Sequence, residues 1–321
     1  MAARLAILGL LATLTAASPL TQPLSRRQNE AALITKNFPD PGLVIGKDGK
    51  YHAYATNNGS ANIPTAIADS VSGPWSVVGN ALPTTGAWSN GANVWAPDVL
   101  QVADGSFVLY YTAEVVGGNG HHCVGTATSS VAIGPFTPQD SVLACPLSQG
   151  GAIDPAGFID ADGTNWVVYK IDGNSIGNGG TCDNTVAPIV STPIMLQQMA
   201  ADGITAIGDP VQILDRGDAD GPLVEAPSLV RTSDGIYVLF FSSNCFSTTL
   251  YDVSYATASS VKGPYTKSSK PLLVTGDYGL QAPGGATVAK DASAIIFHAN
   301  CPAGRCMFER AITISGTTVT T

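Results

Sequence analysis

The chain has 321 residues, with 24 Asp and Glu against 15 Lys and Arg, a formal net charge of −9 and only 12% charged residues. That balance excludes a partner gripped by its phosphate backbone, which needs a basic face, and 45% apolar residues exclude disorder. With 35 Gly and 21 Pro, long helices are excluded in turn, and short strands joined by tight turns are expected.

In chain order, Arg4, the apolar stretch from Leu5 to Leu14 and the small residues of Leu14-Thr15-Ala16-Ala17-Ser18 predict an export signal over residues 1–18. The apolar stretch is too short to span a bilayer. Ser25-Arg26-Arg27-Gln28 marks residues 19–27 as a propeptide or a basic linker, so the mature domain is expected over 28–321 in an extracellular, oxidising setting. Cys123, Cys145, Cys182, Cys245, Cys301 and Cys306 match no zinc spacing and read as disulfides. Their sequence leaves the pairing open, with a local Cys301–Cys306 bridge favoured.

One pattern then recurs five times: a Pro at a short apolar strand, an Asp-Gly turn, an alternating aromatic and β-branched strand, a third strand, and often Gly-Pro-aromatic. The copies open at Asp40-Pro41, Ala96-Pro97-Asp98, Asp154-Pro155, Glu225-Ala226-Pro227 and Pro283-Gly284-Gly285. Asp-Gly between apolar strands signals a hairpin. Repeats of ~50–60 residues, each a small antiparallel sheet, predict an all-β fold, a single five-bladed β-propeller.

In a propeller the first strand of each blade lines the central channel. Asp40, Asp154 and Glu225, read as the residues that open the strands of blades one, three and four, should therefore meet at one mouth. Crowded acids raise at least one pKa, as a general acid requires, while a neighbour that stays ionised can serve as base or nucleophile; glycoside hydrolysis uses such a pair. A metal site is the competing reading, but Asp160-Ala161-Asp162-Gly163 lacks the remaining ligands of a Ca²⁺ loop and fits a hairpin turn better. A structural acid before each Pro, capping a turn, is a third.

Asn37-Phe38-Pro39-Asp40-Pro41, Trp95-Ala96-Pro97-Asp98, Ile153-Asp154-Pro155 and Val224-Glu225-Ala226-Pro227 resemble glycoside hydrolase family 43, over essentially the chain from Asn37 onward. The resemblance implies an inverting enzyme acting on arabinose- or xylose-containing plant polysaccharides. It implies Asp40 as general base, Glu225 as general acid, and Asp154 as the group that tunes and orients the acid. The compact length tilts the expectation towards α-L-arabinofuranosidase or endo-arabinanase activity, with β-xylosidase as the alternative. Candidate substrate-binding residues are Trp95 (a sugar platform or a packing residue), Trp88, Phe38, Asp98, Arg305 and Arg310, the arginines by the resemblance alone; Trp75 and Trp166 fit blade packing.

Many relatives carry Gly-Pro-Gly-His in blade five, where this chain has Ala282-Pro283-Gly284-Gly285, so a structural channel Ca²⁺ is in doubt and no cofactor is expected to be required. His298 reads as a packed strand residue and the His121-His122 pair as solvated. The related propellers that cleave fructosides with retention would show Arg-Asp-Pro and Glu-Cys, where this chain has Ile153-Asp154-Pro155 and Glu225-Ala226. A carbohydrate-binding propeller without catalysis would repeat one site between several blades, whereas the acids here converge once. The partner expected is a polysaccharide or oligosaccharide, the protein acting as a monomer.

Overall fold

The computed structural model describes residues 30–321; the expected export signal and basic linker lie outside them. Five antiparallel sheets follow one another along the chain. Blade one is β1–β4 (Gly42–Ile45, Tyr51–Tyr54, Pro64–Ala68, Ser76–Asn80) and blade two β5–β8 (Trp95–Gln101, Phe107–Glu114, His122–Ser129, Thr137–Ala144). Blade three is β9–β12 (Ala152–Ile159, Asn165–Ile171, Ile194–Met199, Ala206–Leu214) and blade four β13–β16 (Val224–Arg231, Tyr237–Ser243, Ser254–Ala258, Thr266–Lys267). Blade five has β17–β19 (Gly284–Val288, Ala294–Cys301, Gly304–Ala311), followed by a small hairpin, β20–β21 (Thr313–Ser315, Thr318–Thr320).

The turn chemistry read from the sequence forms the first hairpin of each blade. Gly49, Gly105, Gly163 and Gly235 all have positive φ (76°, 84°, 85° and 89°), and each donates its N–H to the carbonyl three residues back. That left-handed conformation favours glycine because a Cβ would be strained there. Blade five places Ala292 in the same role at φ 59°. Asp160-Ala161-Asp162-Gly163 is therefore a hairpin turn, and its Asp160 carboxylate accepts the Tyr237 hydroxyl at 2.8 and 3.0 Å.

Five apolar clusters, one at each junction between blades, hold the ring. Leu109 and Tyr111 pack between blades one and two; Val108, Tyr110 and Val167 between two and three; Val168, Leu239 and Phe241 between three and four; Val238, Phe240 and Phe297 between four and five. Alternate residues of each second strand thus serve opposite neighbours, as the period of a strand requires. The fifth cluster joins Ala53 and Ala66 of blade one to Ile296 and Met307 of blade five, with Ile34 and Phe38 between them. The segment before blade one completes this closure. Leu33 and Phe38 donate N–H groups to the carbonyls of Met307 and Arg305, so residues 33–38 run along β19 where blade five lacks a fourth strand of its own.

The disulfides are Cys123–Cys145, Cys182–Cys245 and the expected local bridge Cys301–Cys306. The second ties the long loop of blade three to the corresponding loop of blade four.

Candidate active site

The chain bends at one residue of positive φ in each inner strand or, in blade one, just before it: Asp40 (53°), Ala96 (40°), Asp154 (56°), Ala226 (52°) and Gly285 (57°). The four in blades two to five coincide with a break in ladder register, as a bulge that re-aims the chain produces. These residues surround a narrow constriction of about 30 Å³ on the propeller axis. A wider cavity of about 670 Å³ lies at the other end of the channel, and neither Asp40, Asp154 nor Glu225 lines it.

The register corrects one expectation. Asp40 and Asp154 do occupy the same repeat position, but blade four places Ala226 there. Glu225 stands one residue earlier, level with Trp95, Ile153 and Gly284, as its pairing with Ser242 shows beside Trp95–Thr112, Ile153–Lys170 and Gly284–His298. The Pro, not the acid, keeps constant register in blades one to four. The three carboxylates still face one mouth, and Asp154 takes up electrostatic influence from both Glu225 and Asp40.

Hydrogen bonds link the bends around the axis. The Ala96 N–H donates to Thr56 Oγ1 (2.8 Å), the Asp154 N–H to Thr112 Oγ1 (3.1 Å), the Gly285 N–H to Ser242 Oγ (2.9 Å) and the Asp40 N–H to His298 Nδ1 (3.1 Å). In each case a side chain on the second strand of one blade, or in blade one just past its end, satisfies the bend of the next, and His298 closes the circle from blade five to blade one. At the junction of blades three and four the corresponding residue is Lys170, which has no lone pair to offer as an ammonium. There the Ala226 N–H donates instead to Asp154 Oδ2 (2.9 Å).

Asp40 is held ionised. Burial alone would raise its pKa, but the Arg305 guanidinium leads the effects that outweigh it and keep Asp40 well below the usual carboxylate range. Arg305 donates from Nη1 to Oδ1 at 3.1 Å, and the Thr56 hydroxyl donates to Oδ2 at 2.6 Å. His298 is itself kept neutral by burial and by Arg305. On the other side of the mouth the order is reversed. Burial first, then Glu225, pushes Asp154 up to about 8, against the pull of Lys170. Lys170 is 0% exposed and lies 3.1 Å from Glu225 Oε2 and 3.2 Å from Asp172 Oδ1. Burial would strip its proton, but Glu225, Asp172 and Asp154 overcome this and raise its pKa. The mouth therefore sets a permanent carboxylate, Asp40, against a carboxyl, Asp154, that keeps its proton beside Glu225, the division that acid–base chemistry on one bond requires.

The other expected site residues distribute as follows. Trp95 is partly exposed at the mouth, one face covered by the His122 ring at 3.8 Å. His122 is only 5% exposed, which corrects the expectation of a solvated pair; burial also lowers its pKa. Arg305 touches Asp40 and lies 5.2 Å from the ring of Phe246, a residue 46% exposed beside Cys245. Phe38 is 1% exposed within the blade-five to blade-one core, so its ring offers no face to a sugar. Trp88 stacks on Tyr111 and packs over Gly125 in blade two, while Trp75 and Trp166 join the packing between blades. Arg310 pairs with Glu30 and lies against Tyr278, apart from the acids.

Asp98 is 7% exposed and accepts the Gly157 N–H at 2.8 Å, with further backbone donors from Val99 and Leu43, so it pins three inner strands together. The sequence reading missed Lys170, Asp172, Thr56 and His298 as parts of the site. For Lys170 a signal was present, a lone cation in the otherwise apolar strand Trp166-Val167-Val168-Tyr169-Lys170-Ile171. Among the described residues no group of three or more His, Cys, Asp and Glu is arranged to hold a metal ion, and His298 Nδ1 is engaged by the Asp40 N–H. A channel cation does not fit this side-chain set, and no step below runs through one.

The family model for glycosyl hydrolases family 43 matches residues 31–320. The chain belongs to that family. It is a glycosidase. It is similar, at 28% identity over 82% of each chain, to a probable arabinan endo-1,5-alpha-L-arabinosidase C of Aspergillus flavus. Over 40% of each chain it is 39% identical to the protein of the same description in Neosartorya fischeri. Among solved structures, a thermostable family-43 glycoside hydrolase superposes with a TM-score of 0.74 at 24% identity, covering 88% of this chain and 92% of that one. An endo-1,4-beta-xylanase from Bacteroides thetaiotaomicron superposes with a TM-score of 0.69 at 28% identity, covering 91% of this chain and 96% of that one.

Proposed function

We propose that this glycosidase cleaves α-L-arabinofuranosyl linkages in arabinan or arabinoxylan, outside the cell, with inversion at the anomeric carbon. The observation that carries the chemistry is the opposed electrostatics of the mouth: Asp40 held ionised beside Arg305, against Asp154 keeping its proton beside Glu225. The preference for arabinan rests on the arabinanase descriptions of its relatives. Three disulfides suit an oxidising, extracellular setting.

In this reading Asp40 is the general base. Its Oδ2 is oriented by Thr56 and its Oδ1 by Arg305, and it takes a proton from the attacking water. Glu225 gives a proton to the departing glycosidic oxygen. Lys170 engages Oε2, so the transferable proton belongs on Oε1. Asp154, anchored by the Ala226 N–H, keeps that proton in the pair until the bond breaks. An inverting reaction places the base and acid on opposite faces of the sugar with a water between. Trp95, backed by His122, and Arg305 are the side chains proposed to contact the sugar.

The test is hydrolysis of linear 1,5-arabinan, an aryl arabinofuranoside and an aryl xyloside, with the anomer first formed read by NMR. Arabinan cleavage with the inverted anomer is expected, and abolition by Glu225→Gln in a folded protein. Cleavage of the xyloside alone would move the substrate class to xylosides. A retained anomer would overturn the base assignment of Asp40.

A further inference from the structure

Lys170 is the one cation in the circle of side chains that satisfies the strand bends. The residues at the matching place in the other blades are Thr56, Thr112, Ser242 and His298, all neutral acceptors of the next blade's N–H. A lysine there breaks the pattern twice. It leaves the Ala226 N–H without its usual acceptor, and it places a cation where nothing is exposed. Both are costly unless compensated. The compensation is specific: Asp154 Oδ2 takes the Ala226 N–H, and Lys170 bridges Glu225 and Asp172 at 3.1 and 3.2 Å. An acceptor such as Thr would have completed the circle without burying a charge, so packing alone does not call for lysine.

Resting on the reading of Glu225 as proton donor, we propose that Lys170, balanced by Asp172, is the positioning residue that sets how firmly the Asp154–Glu225 pair holds its proton. The cation stabilises the carboxylate that Glu225 becomes once it has given its proton to the leaving oxygen. Asp172, on the other side of the ammonium, tempers that pull so the pair is not emptied before the substrate arrives. The remaining ionisable groups facing this cluster are Asp40 with Arg305 and His298 across the mouth, Tyr251 near Glu225 and Asp40, and His122 near Asp172. The two carboxyls feel Lys170 at closest range, and a cation at such a distance shifts a carboxyl by about 1–3 pH units.

The two substitutions have opposite predicted signs, which a merely structural role does not give. Lys170→Met removes the cation, so the pair holds its proton to higher pH. The alkaline limb of kcat/KM should move up by at least about one pH unit, with kcat falling more on a glycoside with a poor leaving group than on an activated aryl glycoside. Asp172→Asn removes the tempering anion, so the same limb should move down. The profiles are measured on the glycoside that the wild-type enzyme turns over fastest, with near-ultraviolet circular dichroism as the check on folding. If Lys170→Met fails to fold, the direction of the Asp172→Asn shift decides. Unshifted limbs, or shifts of the same sign, overturn the proposal, provided Glu225→Gln is inactive. A fully active Glu225→Gln would instead sink the assignment of Glu225 itself.

Discussion

Asp98 offers a prediction in which two effects of opposite sign compete. Burial favours the neutral carboxyl, whereas the N–H groups of Gly157, Val99 and Leu43 favour the carboxylate. Burial prevails and pushes the pKa from 3.8 up to about 7. Asp98→Asn replaces the carboxyl by a neutral group of the same shape, with one acceptor oxygen and, in place of the O–H of the protonated acid, an amide NH2. Because the folded pKa is raised, the stability contribution of Asp98 is fully present below pH 3.8 and is lost as the pH climbs to about 7. At ~1.36 kcal/mol per pH unit, that gap corresponds to roughly 4 kcal/mol. Asp98→Asn should thus stabilise the protein relative to wild type by roughly 4 kcal/mol more at pH 8 than at pH 4. Urea unfolding of both proteins at the two pH values measures this directly, and the effects of other titrating groups cancel in the difference. An equal loss of stability at both pH values would refute the reasoning, because it would make Asp98 an ionised clamp between strands. The same variant should keep its KM, since the Asp98 carboxyl is engaged by three strands in the channel wall.

Thr56→Val removes the hydroxyl that donates to Asp40 Oδ2 and accepts the Ala96 N–H. A loss of about 1–3 kcal/mol of stability is expected from the unmet N–H, together with a fall in kcat larger than any change in KM; an unchanged kcat would mean that Asp40 needs no orienting partner. Replacing Cys182 and Cys245 together by Ala should cost about 4 kcal/mol for a bridge spanning 63 residues, measured by urea unfolding. It should also weaken binding of long arabinan more than of an aryl glycoside, since the bridge holds the loop carrying Phe246. Phe297→Ala, in the core between blades four and five, should destabilise by about 3–5 kcal/mol and leave the pH limbs of kcat/KM in place.

The blades were legible in the sequence because each is written by local chemistry. The Asp-Gly turns, the prolines at the inner strands and the alternation of the second strands all act within a few residues, and each reappears in the structure as a hairpin, a bend or a pair of opposite packing faces. The convergence of Asp40, Asp154 and Glu225 was legible for the same reason, as a repeat position turned into a place on an axis. What was not legible depends on contacts between blades. Thr56 serves Ala96 across 40 residues, and His298 serves Asp40 across 258. No local pattern marks either pair. Phe38 and Trp88 look like exposed aromatics in polar surroundings, yet closure of the ring and packing over Gly125 bury most of their surface.

The register of Glu225 shows why the repeat was both informative and misleading. Aligned by its acids, the sequence makes three blades look equivalent; aligned by Pro41, Pro97, Pro155 and Pro227, it shows Glu225 one residue displaced, with Ala226 at the bend. That displacement and the lysine at position 170 belong together. A carboxyl at the Ala226 position would occupy the place from which Asp40 and Asp154 take part in the circle of hydrogen bonds. One residue earlier, Glu225 lies within reach of the second strand of blade three, where Lys170 meets it. Four junctions of the propeller are joined through neutral side chains, and the fifth through the residues that would handle the proton. Local consistency breaks where a fold gives up regularity for chemistry, and here the break falls at the single junction where an acid, a lysine and a second acid replace a hydroxyl.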